Sequence, residues 1–221
     1  MSRKNKSIAV LGLGKYGRSL ADALYQMGAD VLVADINEEV IRDFSDKSTQ
    51  AVVADLANEE EVLSLGLQDM DVVVVAMGSS MAASIMCIAV AKEQEVPLVV
   101  AKAPTARAGV IFKKVGADRV IDPETESGKR SARILLSSSV LDFFEIDDNL
   151  DIVEIRVQPE WIGKDLVELK LRSRYGINVI AIKDAGGKWK YLDPDQQLTE
   201  DCSLLAAVEN RDGHLFADKF I

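Results

Sequence analysis

The sequence predicts an α/β protein, in which a doubly wound parallel sheet is joined by a crossover helix to a small α+β C-terminal domain. Three observations predict this fold. Short apolar runs alternate with helical stretches over residues 1–122, a glycine-rich turn links the first run to the first helix, and closely spaced strand patterns follow residue 149. The length of 221 residues suits one full domain and one smaller domain.

The parallel sheet is predicted from apolar runs that have the length of buried strands. They lie near residues 8–11, 31–34, 51–54, 72–76, 98–101 and 119–121. The first helix is predicted over about Tyr16 to Met27, and Gly28 is its stop signal. The later helices are predicted to begin near Glu38, Glu59, Ser80 and Thr105.

A long helical pattern, from about Thr125 to Phe144, follows the sheet and ends in the acidic stretch Glu145–Asp151. We therefore predict a first domain over residues 1–122, a crossover helix and linker over 123–148, and a second domain over 149–221. The second domain is predicted from strand and helix patterns separated by turn residues. Its elements are a strand at Ile152–Val157, a helix at about Lys164–Tyr175, a strand at Asn178–Lys183, a turn at Gly186-Gly187, a further strand, and a last strand at Leu204–Val208.

Composition and charge exclude several classes of protein. The net charge of −10 argues against a nucleic-acid surface, which needs clustered Lys and Arg. Cys87 and Cys202 lie in apolar surroundings without CxxC spacing, so we expect buried thiols rather than a disulfide framework or a zinc site. This cysteine usage suits a reducing cytoplasm.

The stretch Val72–Ala91 has no charge and the length of a membrane span. Gly78-Ser79-Ser80 divides it into a buried strand and a helix that Ser80 caps. Lys15 likewise cuts short the signal-like apolar run near the N-terminus. We therefore expect a soluble chain without direct membrane insertion.

The glycine-rich turn Gly12-Leu-Gly-Lys-Tyr-Gly17 carries the strongest functional signal. Gly12 permits a tight strand-to-helix turn, Gly14 lets the backbone approach a pyrophosphate, and Gly17 lets the helix pack closely on the sheet. Asp35 ends the second strand about 20 residues onward, where an acid binds ribose hydroxyls. This context predicts a Rossmann-type nucleotide site.

Ligands of such sheets lie beyond the carboxyl ends of the strands, at the switch point between the first and fourth strands. The glycine loop and the segment from Ala76 to Ser79 are therefore expected to face each other across the nucleotide. The predicted cofactor-binding residues are Gly12, Gly14, Lys15, Tyr16, Gly17, Asp35, Ile36, Asp55, Leu56, Ala76, Met77, Gly78 and Lys102.

Four charged residues leave two interpretations open. Lys15 either contacts a nucleotide phosphate or is a solvated surface lysine. Lys102 either contacts a nucleotide phosphate or forms a surface ion pair. Asp55 either contacts the adenosine or caps the following helix. Glu124 is either a solvated carboxylate or an oxygen ligand of a hard divalent cation.

No catalytic residue is predicted. The sequence lacks a Gly-x-Ser-x-Gly elbow and a Walker ending, and its single histidine, His214, is expected at the surface near the C-terminus. The second domain is also small for a dehydrogenase substrate domain. The nucleotide site is therefore expected to belong to a sensor and not to an enzyme.

Several segments resemble the RCK-type cytosolic gating subunits of Ktr and Trk potassium uptake systems. The resemblance covers almost the whole chain, and its most specific part is the segment Lys114–Glu124 with the small C-terminal domain. The segments that carry it are Ile8–Arg18, Val33–Glu39, Leu63–Leu67, Lys114–Glu124 and Arg174–Ile182.

The resemblance implies a regulatory subunit that binds ATP or ADP, or NAD(H) in some members, through the glycine loop and Asp35. It further implies homodimers that exchange the crossover helix, an octameric ring beneath a membrane-embedded potassium channel subunit, and a cytoplasmic location at the inner face of the membrane. Glu124 matches a carboxylate that binds Mg²⁺ or Ca²⁺ between subunits. Arg172, Asn178 and Val179 match a pocket for cyclic di-AMP.

Two rival functions remain open from the sequence. An NAD-dependent oxidoreductase, or an NAD(H)-binding sensor, would use the same glycine loop, with Asp35 repelling the 2′-phosphate of NADP. A cofactor-sensing repressor would need a basic DNA-reading helix. The basic stretch Lys170–Arg174 is more simply a complement to a helix dipole.

Overall fold

The computed structural model describes residues 5–147, 149–191 and 193–209, and it divides between Glu124 and Thr125 into two compact units. His214 and the end of the predicted second domain lie outside the described residues. Within the described parts, no helix is long and apolar enough to cross a bilayer.

The first unit contains a six-stranded parallel sheet with the strand order β3-β2-β1-β4-β5-β6. This confirms the predicted Rossmann-type fold, with β1 and β4 adjacent at the switch point. The strands are β1 (Ser7–Leu11), β2 (Asp30–Asp35), β3 (Gln50–Val53), β4 (Val72–Val75), β5 (Val99–Lys102) and β6 (Arg119–Ile121). The helices are α1 (Lys15–Gln26), α2 (Glu38–Asp43), α3 (Glu59–Ser64), α4 (Met81–Glu93) and α5 (Ala106–Val115), with a 3₁₀ turn at Leu67–Asp69.

The local sequence explains why these elements begin where they do. The side chains of Asn37, Asn58, Ser80 and Thr105 accept hydrogen bonds from free N–H groups in the first turns of α2, α3, α4 and α5. All four residues of β4 are buried because helices cover both faces of the sheet. Cys87 is buried in the core of this unit, and burial raises the pKa of its thiol to about 12. Cys87 and Cys202 are both free and buried, as expected.

The second unit contains a five-stranded antiparallel sheet with the order β10-β9-β11-β8-β7. Trp161 and Phe143 are buried in its core. Its strands are β7 (Val140–Glu145), β8 (Leu150–Arg156), β9 (Ile177–Lys183), β10 (Trp189–Lys190) and β11 (Ser203–Glu209). Its helices are α6 (Pro123–Leu136, which begins at the division), α7 (Leu166–Leu169) and α8 (Leu171–Tyr175), with a 3₁₀ turn at Pro159–Trp161.

The predicted helix from Thr125 to Phe144 is wrong in its second half. The helix ends at Leu136, and Val140–Glu145 forms strand β7 instead. The Ser137 hydroxyl accepts hydrogen bonds from the N–H groups of Ser139 and Val140, which ends the helical pattern. The acidic stretch begins in β7 and ends in β8, since Glu145 pairs with Asp151 and the N–H of Ile146 donates to the carbonyl of Leu150 at 3.0 Å. Both of its ends therefore belong to the second sheet.

Candidate nucleotide site

The glycine loop forms a tight connection between β1 and α1. Gly12 has a φ of +93°, which favours glycine, and its N–H donates to the carbonyl of Ala34 at 2.8 Å. A methyl group at Gly17 would lie 2.0 Å from the carbonyl oxygen of Gly12. Gly14 precedes α1, and a methyl group there would meet no atom within 4 Å. The loop is thus closely packed at both ends and open at Gly14.

Asp35 connects this loop to the end of β2. Its Oδ2 accepts a hydrogen bond from the N–H of Leu13 at 2.6 Å, and its Oδ1 accepts one from the N–H of Asn37 at 2.9 Å. The half-buried carboxylate is therefore fixed in position before any ligand arrives. Its remaining lone pairs are available to the hydroxyls of a ribose.

A cavity of about 220 Å³ lies beyond the carboxyl ends of β2, β3 and β4. Apolar side chains provide part of its wall, and carboxylates and hydroxyls provide the polar groups. Its lining residues are Asp35, Ile36, Asp55, Leu56, Ala57, Met77, Ser79, Ser80 and Ala83. An apolar wall for a base beside carboxylates for hydroxyls suits a nucleoside.

Four lining residues were absent from the predicted cofactor-binding residues. Ser79 ends the segment that was expected to face the glycine loop, although it was not itself predicted to bind the cofactor. Ser80 was interpreted as the cap of α4, which it is, since its hydroxyl accepts the N–H of Ala83 at 3.2 Å. Ala57 and Ala83 carry no chemical signal in the sequence.

Asp55 is not the N-cap of the following helix, contrary to one of its two interpretations. Asn58 caps α3, and the Asp55 carboxylate instead accepts the N–H of Ala57 at 2.9 Å. The N–H of Asp55 donates to Oε2 of Glu61 at 2.7 Å. These contacts fix the turn after β3 and place the Asp55 side chain on the cavity.

Lys102 ends β5 with a mostly buried side chain, of which 12% is exposed. Its ammonium lies 2.5 Å from Oε1 of Glu124 and 6.0 Å from the centroid of the Tyr16 ring. A methyl group at Gly78 would lie 3.4 Å from the same ammonium. The predicted ion pair is therefore present, and the ammonium also lies near the glycine loop and the β4–α4 loop, while its contact with a phosphate stays a prediction.

Lys15 and Glu124 are both exposed. Lys15 is the first residue of α1, next to the free N–H groups of the helix N-terminus. Among the described residues, no group of three or more His, Cys, Asp or Glu side chains is arranged to hold a metal ion. The donor set at Glu124 is thus one carboxylate, which fits a cation only with further ligands from a nucleotide or another subunit.

The second unit contains a separate cavity of about 580 Å³ along α7, α8 and β9. It brings together the predicted residues Arg172, Asn178 and Val179, and adds Leu166, Lys170, Leu171, Ser173 and Ile177. A neighbouring cavity of about 420 Å³ shares Arg172, Ser173 and Asn178. The sequence signal for Lys170 was the basic stretch Lys170–Arg174. The structure shows that Lys170 separates two short helices with a φ of +50°.

Comparison with known protein families identifies both units. The TrkA-N domain family matches residues 8–123, and the TrkA-C domain family matches residues 152–221. The chain belongs to the TrkA-N/TrkA-C family of potassium uptake proteins. The predicted resemblance to Ktr and Trk regulatory subunits is thereby confirmed.

Relatives of this TrkA-N/TrkA-C protein include Ktr system potassium uptake protein A of Bacillus subtilis (strain 168), which is 35% identical over 203 residues and 91% of each chain. The protein of the same name from Vibrio alginolyticus is 36% identical over 183 residues and 83% of each chain. Both relatives are named for potassium uptake and not for a catalytic activity, in agreement with the prediction that this chain is not an enzyme.

Solved structures show the same fold. The GsuK RCK domain has a TM-score of 0.67 at 18% identity, covering all of this chain and 48% of that one. The GsuK channel bound to NAD has a TM-score of 0.66 at 18% identity, covering 95% of this chain and 38% of that one. A GsuK structure bound to ADP has a TM-score of 0.52 at 13% identity, covering 62% of this chain and 36% of that one.

Proposed function

We propose that this chain is the nucleotide-sensing regulatory subunit of a membrane-embedded Ktr- or Trk-type potassium channel. ATP and ADP bind the cavity beside the glycine loop and favour different conformations of a cytosolic ring, which opens or closes the channel. Family membership supports the role in potassium transport. A ligand shifts such an equilibrium only by its different affinity for the two conformations.

The position of Lys102 is the observation that carries this proposal. Its mostly buried ammonium lies beside Tyr16 of the glycine loop and is paired with Glu124. A bound nucleotide places its phosphates at the glycine loop, because the N-terminus of α1 offers free N–H groups there. An additional phosphate charge would compete with Glu124 for the Lys102 ammonium, so the site has a means to distinguish ATP from ADP.

The role of the divalent cation follows from the same ion pair. Mg²⁺ or Ca²⁺ would take Glu124 as one oxygen ligand and complete its shell from a nucleotide or a second subunit. The cation would supply positive charge that replaces the Lys102 ammonium at Glu124. Lys102 would then be available to a phosphate, and Lys15 would contribute a second amine from the first turn of α1.

We further propose a homodimer that assembles into an octameric ring. Leu135 and Leu136 at the end of α6 are 85% and 67% exposed, and large exposed apolar side chains suit a subunit contact.

The cavity that includes Arg172, Asn178 and Val179 is the proposed site of cyclic di-AMP, in which Arg172 would contact a phosphate. NAD or NADH remains the alternative ligand of the first unit, since a GsuK structure was determined with NAD.

Calorimetric titration tests the site. The purified chain is titrated with ATP, ADP, NADH and cyclic di-AMP, with and without Mg²⁺ or Ca²⁺. We expect ATP and ADP to bind with different affinities and Asp35→Ala to abolish their binding, while cyclic di-AMP binding is retained. Unchanged nucleotide affinity in Asp35→Ala would show that the nucleotide binds elsewhere.

A further inference from the structure

Helix α6 connects the nucleotide unit to the second sheet, yet none of its described residues is buried. Ile134 packs in part against the core of the second sheet, whereas Leu135 and Leu136 point away from it. Apolar burial therefore contributes little to holding this helix on the sheet. Arg130 and Arg133 of α6 each contact a carboxylate of β7.

Arg130 makes a bidentate contact with Asp142. Its Nη2 lies 2.6 and 2.7 Å from the two carboxylate oxygens, and its Nε lies 2.9 Å from Oδ1. The same guanidinium lies 4.5 Å from the centroid of the Phe144 ring. A planar guanidinium can bind both oxygens of a carboxylate and stack on an aromatic ring at the same time, whereas a lysine ammonium cannot.

Arg133 makes a single ion-pair contact one helical turn later, without the bidentate hydrogen bonds of Arg130. Its Nη1 lies 3.0 Å from Oε2 of Glu145, and its guanidinium lies 4.1 Å from the centroid of the buried Phe143 ring. Residues three apart share one face of a helix. Each arginine therefore takes one carboxylate and one aromatic ring of β7.

The two contacts differ from ordinary surface ion pairs. An exposed pair such as Arg42–Glu38, with 73% and 75% of the side chains exposed, contributes little to stability. The side chain of Arg133 is only 23% exposed and that of Asp142 only 28%, while those of Glu145 and Arg130 are 43% and 47% exposed. The fork on Asp142 makes the Arg130 contact directional, and both guanidiniums also lie over an aromatic ring of β7.

We propose that Arg130 and Arg133 are positioning residues that fasten α6 to β7, so that a change at Glu124 is passed along the helix to the second sheet. The inference rests on the proposed function. Glu124 is the second residue of α6 and the partner of Lys102 at the nucleotide site. At a rise of 1.5 Å per residue, Arg130 lies only about 9 Å further along the helix axis.

The test uses the full chain with its Ktr-type membrane subunit in lipid vesicles. Potassium flux is measured with ATP and with ADP for the wild type, for the double variant Arg130→Gln/Arg133→Gln, and for Arg42→Gln as a control on an exposed ion pair. We expect the double variant to bind both nucleotides with unchanged affinity, while its ATP-to-ADP flux ratio falls to about one, since coupling and binding are separable quantities. Arg130→Lys should lower the ratio too, because lysine keeps the charge but loses the fork and the stack.

Hydrogen exchange of the chain alone provides a second readout. The amides of residues 127–136 should exchange about tenfold faster in the double variant, while those of β8 and β11 keep their protection, because local opening does not require global unfolding. Three results in the double variant would each overturn the positioning role. They are unchanged amide exchange in α6, an ATP-to-ADP flux ratio equal to that of the wild type, and a loss of nucleotide affinity. A wild type whose flux ignores the nucleotide would instead overturn the proposed function, whatever the variants do.

Discussion

At the residue scale, two glycines of the loop have different roles: Gly17 is needed for the packing of α1, and Gly14 for the approach of the ligand. Gly17→Ala forces a methyl group to 2.0 Å from the Gly12 carbonyl, so α1 must move. Overpacking of this kind costs about 1–3 kcal/mol. We expect Gly17→Ala to lower the protection of first-unit amides in hydrogen exchange and to abolish nucleotide binding.

Gly14→Ala is the matched variant in the same loop. A methyl group there meets no atom within 4 Å, and the residue has an ordinary φ of −64°. The stability should stay within about 0.5 kcal/mol of the wild type. The affinity for ATP should still fall about tenfold, because the methyl group occupies the approach of the pyrophosphate. Wild-type affinity in Gly14→Ala would place the phosphates away from this loop.

At the element scale, capping side chains determine where four helices of the first unit begin. Thr105→Ala removes the hydroxyl that accepts the N–H of Ala108 at 3.1 Å at the start of α5. The loss should be about 1 kcal/mol, measured by hydrogen exchange of α5. Thr105→Ser keeps the hydroxyl and should keep most of the stability. Equal losses in both variants would assign the effect to the methyl group of Thr105 and not to the cap.

The elements of the first unit were predictable because local signals and burial agree there. Each apolar run is a strand of the sheet, the runs of β1, β2 and β4 are almost wholly buried, and a capping side chain precedes α2, α3, α4 and α5. The segment after Pro123 differs, because Ile134, Leu135, Val140 and Leu141 fit a helical period although the last two lie in a strand. The serines at 137–139 were the available stop signal.

The candidate site was predictable only in part for a physical reason. Its backbone positions follow from the strand order, which a periodic pattern reveals. The pairing of Lys102 with Glu124, and of Arg130 with Asp142, depends on side chains brought together by tertiary packing. The spacing of residues in the sequence does not predict which side chains form such pairs.

At the scale of the whole molecule, the stability of the second unit depends on pH through two carboxyls on neighbouring strands, and their effects have opposite signs. For Asp142, burial raises the pKa, but hydrogen bonds from Arg130 and the N–H of Phe143 outweigh it, so the pKa is lowered. Asp151 on β8 is buried, which raises its pKa, although Arg133 opposes this. Glu145 and Asp147 face Asp151 as well and raise its pKa further.

The signs of these shifts give opposite predictions. A lowered folded-state pKa makes Asp142 stabilising above its unfolded pKa of about 3.9, and this contribution disappears as the pH falls through the folded value. A raised folded-state pKa makes Asp151 favourable at low pH, and this contribution is lost as the pH rises through the folded value. Asp142→Asn should therefore lower the free energy of unfolding more at pH 7 than at pH 2.5, and Asp151→Asn should be more stable relative to wild type at pH 7 than at pH 4.

Urea unfolding followed by tryptophan fluorescence measures this prediction. Both tryptophans of the chain, Trp161 and Trp189, lie in the second unit, so the signal reports that unit. The difference between variant and wild type at each pH is the quantity to compare. Equal effects of Asp151→Asn at pH 4 and pH 7 would show that its carboxyl does not change protonation between the two states in this range.

Potassium flux tests the central claim most directly. The chain is reconstituted with its Ktr-type membrane subunit in vesicles, with saturating ATP or saturating ADP on the side of the chain, and Lys102→Met is measured in parallel. The account predicts flux that differs between ATP and ADP by a factor of about 5 to 150, the usual range of coupling between sites, and a loss of that difference in Lys102→Met. Equal flux with ATP and ADP in the wild type, despite binding of both, would contradict it.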